Sequence, residues 1–277
     1  MKKICAITMA RNDEFFLEKW INYYGNCFGE ENIYILLDGE DQSIPANLGK
    51  TNVIKYPRIT GHIVAADKMR ILILSQKAAQ LLKEYDLVVG TDTDEYLVVD
   101  PKCNCTLAEY LNQIDCPVCM SGLGMDVGQN LNKESEIDGG KLFLQQRSYA
   151  FVSSRYTKPV IVSKPLRWGS GFHRVKGHNF HIDANLYLFH FGCFDKNILE
   201  SRFSDKDRMA AGWTRHIKKR FRTINFVTNK TAKNGDKYLP IARIFQTICR
   251  PIYALNKPSM ACWHLVVNIP ERFKNVL

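Results

Sequence analysis

The first hundred residues alternate short apolar runs with longer segments of helical period. Residues 3–8 form a β-rich apolar run. Over residues 13–27, Phe16, Trp20, Tyr23 and Tyr24 return to one side behind an acidic first turn, which predicts a helix. Residues 32–37 predict a second buried strand ending at Asp38-Gly39, and residues 53–56 a third, weaker one. A long helical pattern covers residues 63–85, with Met69, Leu72, Ile73, Gln76 and Ala79 stepping along one face. Residues 86–90 give a fourth apolar strand. Apolar strands separated by helices imply a parallel sheet covered on both faces.

After Asp100-Pro101 the pattern changes. A short helix at 106–113 precedes strands near 118–122, 142–145 and 160–163, with glycine-rich loops between them, and residues 186–191 add a strand of alternating aromatics. This half reads as mixed or antiparallel. From residue 195 the chain is helical and basic. The expected organisation is an α/β domain over 1–195, divided near residue 100, followed by a helical basic region over 196–277.

Composition narrows this only a little. Hydrophobic residues make up 45% and charged residues 24%, as in ordinary globular proteins, and there is no repeat or low-complexity linker. The basic-then-apolar start resembles a signal peptide, but Arg11, Asn12, Asp13 and Glu14 follow at once, so a first strand is expected. No apolar stretch reaches membrane-spanning length. Nine cysteines without a regular framework point to a reducing compartment, hence the cytoplasm. Cys103-x-Cys105 and Cys116-x-x-Cys119 have zinc-like spacing. Cys116, however, opens the apolar run Cys-Pro-Val-Cys-Met, where thiols act as small hydrophobes, and burial is the preferred reading.

The net charge of +10 gathers in residues 202–222 and at Arg243, Arg250, Lys257, Arg272 and Lys274. Such a surface suits an anionic partner or is a solvated face. Residues 213–221 mix cations with aromatics as a helix lying on a membrane surface does. No nucleic-acid-binding motif accompanies the charge, so nucleic acid is not an expected partner.

The sharpest chemical signal is Thr91-Asp92-Thr93-Asp94-Glu95-Tyr96-Leu97, directly after the fourth strand. In open α/β sheets ligands bind beyond the carboxyl ends of the strands. Two aspartates leaving such a strand can aim oxygens at one cation, and Mg²⁺ or Mn²⁺ favours a few carboxylates plus diphosphate oxygens.

Four motifs in order resemble the GT-A glycosyltransferases of the family 2-like and family 92-like kind. They are Ala10-Arg11-Asn12-Asp13-Glu14, Leu17-Glu18-Lys19-Trp20, Asp38-Gly39 and Asp92-Thr93-Asp94-Glu95-Tyr96-Leu97. The resemblance covers roughly residues 1–195. It implies a GT-A (Rossmann-like) mixed, mainly parallel sheet flanked by helices, with a nucleotide-binding half over 1–100 and an acceptor half over 101–195. It also implies transfer of a hexose-type sugar from a UDP- or GDP-sugar to a hydroxyl of a glycan or lipid-linked acceptor, as in surface polysaccharide assembly, at the inner face of the membrane. Asp94 is then the direct metal ligand and Asp92 lies near metal and ribose. Met9, Arg11 and Asn12 line the nucleotide pocket, and Asp38 sits near base or ribose. Lys68 or Arg70 meets the diphosphate.

A late histidine completes the metal set in such enzymes, and His190 in Leu-Phe-His-Phe-Gly fits it, with His173, His178 and His181 as rivals. An inverting transfer needs a carboxylate base. Asp126 is the candidate, on an expected glycine-rich loop, with Asp138 and Asp183 as alternatives. Trp168, within Arg-Trp-Gly-Ser-Gly-Phe-His, is placed either over a sugar ring or in the core. Two rival readings remain. A nucleotidyltransferase would use the same carboxylates but needs a glycine-rich loop after the first strand, which residues 9–12 lack. A non-catalytic sugar-nucleotide-binding homologue is the other.

Overall fold

The computed structural model describes residues 1–202, 204–210, 212, 214–249 and 264–277, with the backbone alone for 208, 215–220 and 249. The expected membrane-surface segment, with Trp213, Arg215, His216, Lys218, Lys219 and Arg220, therefore lies largely outside the described residues, as do Arg250 and Lys257.

In chain order the elements are β1 (Ile4–Ala10), α1 (Glu14–Phe28), β2 (Ile33–Asp38), β3 (Asn52–Tyr56), α2 (Ile63–Leu81), β4 (Leu87–Gly90) and β5 (Glu95–Val99). Then come α3 (Leu107–Gln113), β6 (Cys119–Gly128), α4 (Phe143–Gln146), β7 (Tyr149–Val152), β8 (Ile161–Val162) and β9 (His181–Cys193). The chain continues with α5 (Lys196–Ser201), α6 (Lys206–Ala210), α7 (Thr214–Asn229), β10 (Lys233–Asn234), α8 (Gly235–Cys249) and β11 (Val266–Asn268). The fold is α/β, a mixed sheet flanked by helices. Its order is β10-β11-β7-β6-β8-β4-β1-β2-β3, with β9 joining β6 to β5.

The block β3-β2-β1-β4 is parallel. Alternation along β1 shows why it is buried on both sides. Ile4, Ala6 and Ala10 face the core under α1 (Leu17, Trp20, Ile21, Tyr24), while Cys5, Ile7 and Met9 face α2. The two crossover helices thus cover opposite faces, and the crevice at the carboxyl ends of β1 and β4 is the topological switch point where ligands bind in such sheets.

The α2 stripe differs from the expected one. The buried residues are Ile63, Ile71, Leu74, Ser75, Ala78 and Leu81, whereas Met69 and Gln76 are exposed. Residues 71–74 read Ile-Leu-Ile-Leu and are apolar all round, so period alone does not choose a face.

The second half is mixed, as expected, with different parts. Residues 143–146 are the short helix α4, not a strand, and β7 follows at 149–152. Strand β5 runs antiparallel to β9, with Glu95 opposite His190. Alternate residues of β5 serve two cores. Leu97 and Val99 join the α1 side; Tyr96 and Val98 join a core built with β6, β7, β9, α8 and residues 265–277. That core continues well past residue 195, because β11 pairs antiparallel with β7 and Phe273 is fully buried.

Cys103, Cys105, Cys116 and Cys119 are packing residues in this arrangement. Cys116 and Cys119 are buried in separate cores, and burial pushes their thiols up to about 11 and about 12. Groups of three or more neighbouring metal-type ligands among the described residues include none of these four cysteines. Trp168 is 2% exposed, fills the core beneath Gly90 and donates its indole N–H to the Pro159 carbonyl, so the core placement is the observed one. Among the described residues no helix is long and apolar enough to cross a membrane.

Candidate functional site

A cleft of about 530 Å³ opens at the carboxyl ends of the parallel strands. Its floor is the turn 91–94, and the early motifs hold that turn in place. The Trp20 indole donates to Thr91 Oγ1 (2.8 Å), Thr8 Oγ1 donates to the Thr91 carbonyl (2.8 Å), and Thr93 Oγ1 donates to Asp13 Oδ2 (2.7 Å). From the other half, the Phe191 N–H donates to the Asp94 carbonyl (2.8 Å). Motifs separate in sequence are therefore parts of one anchor.

The two aspartates of the turn have different surroundings. Both carboxylate oxygens of Asp92 are taken, Oδ1 by Arg70 (2.8 Å) and Oδ2 by Lys158 (2.9 Å). Burial raises its pKa, but Lys158 and then Arg70 outweigh that and hold it far below the usual carboxylate range. Lys158 is 2% exposed and also pairs with Glu95, which is fully buried. Burial pushes Glu95 up to about 7 against the pull of Lys158. The same two carboxylates keep Lys158 above its ordinary value despite its desolvation.

Asp94, 5% exposed, faces His190 instead, with Oδ2 at 3.6 Å from Nε2. Arg202 from the start of the basic region lies 3.4 Å from the same oxygen and 3.5 Å from Asp13. The far nitrogen of His190 is held by Asp126, with Nδ1 to Oδ1 at 2.6 Å, and Thr223 of α7 donates to Asp126 Oδ2 (2.5 Å). The Tyr156 ring stacks on the imidazole at a centroid distance of 3.7 Å. A carboxylate on Nδ1 favours the tautomer with hydrogen there, which turns a lone pair on Nε2 toward Asp94.

Two sets of three potential metal ligands occur among the described residues: Asp94, Glu95 and His190, and Asp126, His190 and Cys193. Glu95 is engaged by Lys158 and does not line the cleft, and Asp126 is engaged by His190 and Thr223; Asp94, which also meets Arg202, and His190 both line the cleft and set an oxygen beside a nitrogen there. Space is kept open beside that pair. A Cβ on Gly192 would lie 2.6 Å from His190 Nε2 and 2.8 Å from Asp94 Oδ2. An oxygen–nitrogen pair beside a gap of this kind suits a divalent cation. Asp92, expected to share the metal, is in neither set.

The other expected residues divide similarly. Met9, Arg11, Asn12, Asp38 and Arg70 line the cleft. Arg11 is already multiply bonded, to Asp41 (3.0 Å) and to Asp207 of α6 (2.6 Å). Asp38 accepts from Arg58 and from the Ile59 N–H, both at 2.6 Å. Lys68 is exposed and does not line the cleft, because on α2 it points away from the side that carries Arg70. Asp126 is not on a loop: β6 runs on to Gly128, so its carboxylate is 3% exposed and turned to His190. Asp138 is exposed and caps the Gly140 N–H, while Asp183 accepts from Tyr110, Asn185 and Leu186 away from the cleft. His173 lines the cleft, but His178 and His181 are exposed outside it.

Sequence reasoning missed Lys158, Tyr156 and the specific part of Arg202. Tyr156 and Lys158 arrive on the crossing after β7, where Gly124 permits close approach. A Cβ there would sit 2.3 Å from the Tyr156 carbonyl carbon. The only available signal was that a cation, Lys158, opens the apolar run 159–162.

No known family model matches the chain, and no characterised protein matches it in sequence. Among solved structures it is similar to a glycosyltransferase involved in the glycosylation of the major capsid of PBCV-1, with 16% identity and a TM-score of 0.25 over 44% of this chain and 50% of that one. It therefore spans about half the length of that protein. It is also similar to a mannose-1-phosphate geranyltransferase from Thermus thermophilus, with 10% identity and a TM-score of 0.31 over 99% of this chain and 77% of that one. Likeness at these scores carries no argument about activity, and the case for a function rests on the chain's own residues.

Proposed function

We propose that this chain is a glycosyltransferase that binds a nucleotide-sugar in the cleft and transfers the sugar to an acceptor hydroxyl. The observation that carries the reading is the meeting of Asp94, in the turn before β5, with His190 of β9, beside the gap left by Gly192 and at the mouth of the parallel block. Residues 9–12 and Asp38 form the side of the cleft suited to base and ribose, with Arg58 and Arg70 nearby.

Asp94 and His190 would hold a divalent cation, Mn²⁺ or Mg²⁺, which neutralises charge on the departing nucleoside diphosphate as a Lewis acid. The remaining chemistry belongs to the protein. Asp92, clamped by Arg70 and Lys158, holds the two cations in place at the base of the cleft and serves as a fixed acceptor for a ribose or sugar hydroxyl. Asp126 orients His190 and is a positioning residue in this reading rather than the base. The acceptor half, reached past Tyr156, receives the second substrate; as its hydroxyl oxygen bonds to the anomeric carbon, the nucleoside diphosphate leaves with the electron pair of the broken bond and takes up the hydroxyl's proton. Surface polysaccharide assembly and an acceptor displayed at a membrane are the setting that suits the basic region.

The test is a thermal-shift and calorimetry screen of UDP, GDP, CDP and their sugars with and without Mn²⁺. Binding to the native state raises the melting temperature by mass action. The reading requires one nucleotide whose binding depends on Mn²⁺ and loses that dependence in Asp94→Ala and His190→Ala. If no nucleotide binds the wild-type chain, or both variants keep a metal-dependent response, the proposal fails.

A further inference from the structure

The two ends of the cleft are charged differently. At the strand-end side each cation already has a carboxylate. Arg11 pairs with Asp41 and Asp207, Arg58 with Asp38, Arg70 with Asp67 and Asp92, Lys158 with Asp92 and Glu95, and Arg202 with Asp94 and Asp13. Five cations meet eight carboxylates there, so that side is net negative before any ligand arrives.

The other side is not. Arg155, on the crossing from β7 to β8, and Arg222, on α7, both line the cleft and are exposed. Neither has a carboxylate within 4.0 Å among the described residues. Arg222 donates to His264 Nε2 (2.9 Å) and lies over the Phe226 ring at 4.8 Å. Phe226 packs in turn on Phe151 (5.2 Å) and His264 (4.9 Å), so the guanidinium rests on a fixed aromatic platform. Burial, followed by Arg222 and Lys230, lowers the pKa of His264.

Placement separates this pair from the nucleotide side. Arg222 adjoins Thr223, which fixes Asp126 on the Nδ1 side of His190, and Arg155 adjoins Tyr156, which covers the face of the same ring. The first-strand loop meets the opposite, Nε2 side through Asp13, Arg202 and Asp94. Two exposed cations beside a ring platform form a subsite for an anionic sugar. The Phe226 ring holds the Arg222 guanidinium in place, and the guanidinium groups take a carboxylate or phosphate in forked hydrogen bonds.

Resting on the glycosyltransferase reading, we infer that the acceptor of this enzyme carries a negative charge, as a uronic acid or a phosphorylated sugar, bound by Arg155 and Arg222. The charge-assisted contacts give about a tenfold or greater preference over a neutral sugar, and it declines with salt because both groups are exposed.

The experiment measures binding of methyl β-glucuronide, glucose 6-phosphate and neutral methyl β-glucoside by ligand-observed NMR at low and high salt. It uses wild type and Arg155→Gln/Arg222→Gln, with UDP and GDP binding followed in the same preparations. The expected result is tighter binding of one or both anionic sugars to wild type, abolished in the double variant while nucleotide binding is unchanged. Preference for the glucuronide alone identifies a carboxylate subsite, and for the phosphate alone a phosphate subsite. Equal binding of the neutral sugar overturns the inference, as does an undiminished anionic preference in the double variant. Loss of nucleotide binding in the double variant also overturns it, by giving the two arginines to the donor diphosphate. Nucleotide binding without anionic preference sinks this inference and leaves the transferase reading standing. Anionic preference without any nucleotide binding sinks the transferase reading, and the acceptor inference with it, and leaves only an anion-binding subsite at Arg155 and Arg222.

Discussion

Gly192→Ala adds one methyl group at the point where the proposed cation sits. The new Cβ would lie 2.6 Å from His190 Cε1 and Nε2 and 2.8 Å from Asp94 Oδ2. An ordinary carbon contact begins near 3.4 Å, so the ring tip or strand β9 must give by about 0.8 Å. The ring has little freedom to do so, since Asp126 holds Nδ1 at 2.6 Å and Tyr156 stacks on the face at 3.7 Å. Overpacking of this kind costs about 1–3 kcal/mol of stability. Displacing Nε2 from Asp94 should weaken Mn²⁺ binding by about 10–100-fold, comparable to losing an outer-shell partner. The assay pairs urea unfolding with Mn²⁺ titration by calorimetry. A cycle with His190→Ala isolates the clash: in that background the added methyl should cost little stability. Wild-type stability together with wild-type Mn²⁺ affinity in Gly192→Ala would refute the reasoning.

Asp126→Asn should leave the fold intact but release the tautomer of His190, reducing Mn²⁺ affinity about 10–100-fold. A variant with normal metal affinity but abolished transfer would return Asp126 to the role of base. Lys158→Met leaves Glu95 buried without its cation and should destabilise by about 3–5 kcal/mol in urea unfolding, with partial recovery on adding Glu95→Gln. No difference from wild type would show that the buried pair is dispensable. Asp100 accepts from Arg272 at 2.6 and 2.9 Å, and although burial raises its pKa, the arginine brings it below the ordinary value. A depressed folded-state pKa gives stability that is full above the unfolded value, near pH 4, and fades as pH falls through the folded one. Arg272→Gln, which also removes the contact to Asp236, should accordingly unfold about 1–2 kcal/mol more easily at pH 7, with the deficit shrinking below about pH 4. A deficit independent of pH would contradict the assignment.

The parts of the fold that were legible in sequence are those whose signal is local. Strands β1, β2 and β4 are continuous apolar runs because both faces are covered, and α1 shows its stripe because its outer face is polar. Legibility fails where the deciding partner is distant. Glu95 starts a buried strand only because Lys158 comes to meet it. Strand β6 was expected to stop at Gly122 since its glycines resemble a loop, yet Gly122 and Gly124 are there to let backbone from 187 and 156–157 approach. Residues 143–146 are too short for period to distinguish helix from strand. At the site the chemical groups were visible, but their orientation was not. Asp92 and Asp94 look equivalent as a motif and differ because Arg70 and Lys158 claim one, while His190 faces the other.

The order in which the sheet can be completed follows from its strand order. The parallel block uses residues 4–90 alone, so it can form while synthesis continues, as domains emerging from the ribosome do. Strand β7 waits longer, because its outer neighbour β11 is made more than a hundred residues after it. Until then β7 presents an open edge, and Phe151 and Ala150 lack the cover of Val266 and Val267, which is the condition for mispairing with another nascent chain. The newborn protein thus carries an aggregation hazard at β7, and a chaperone that shields an extended apolar segment would act there before the chain is released.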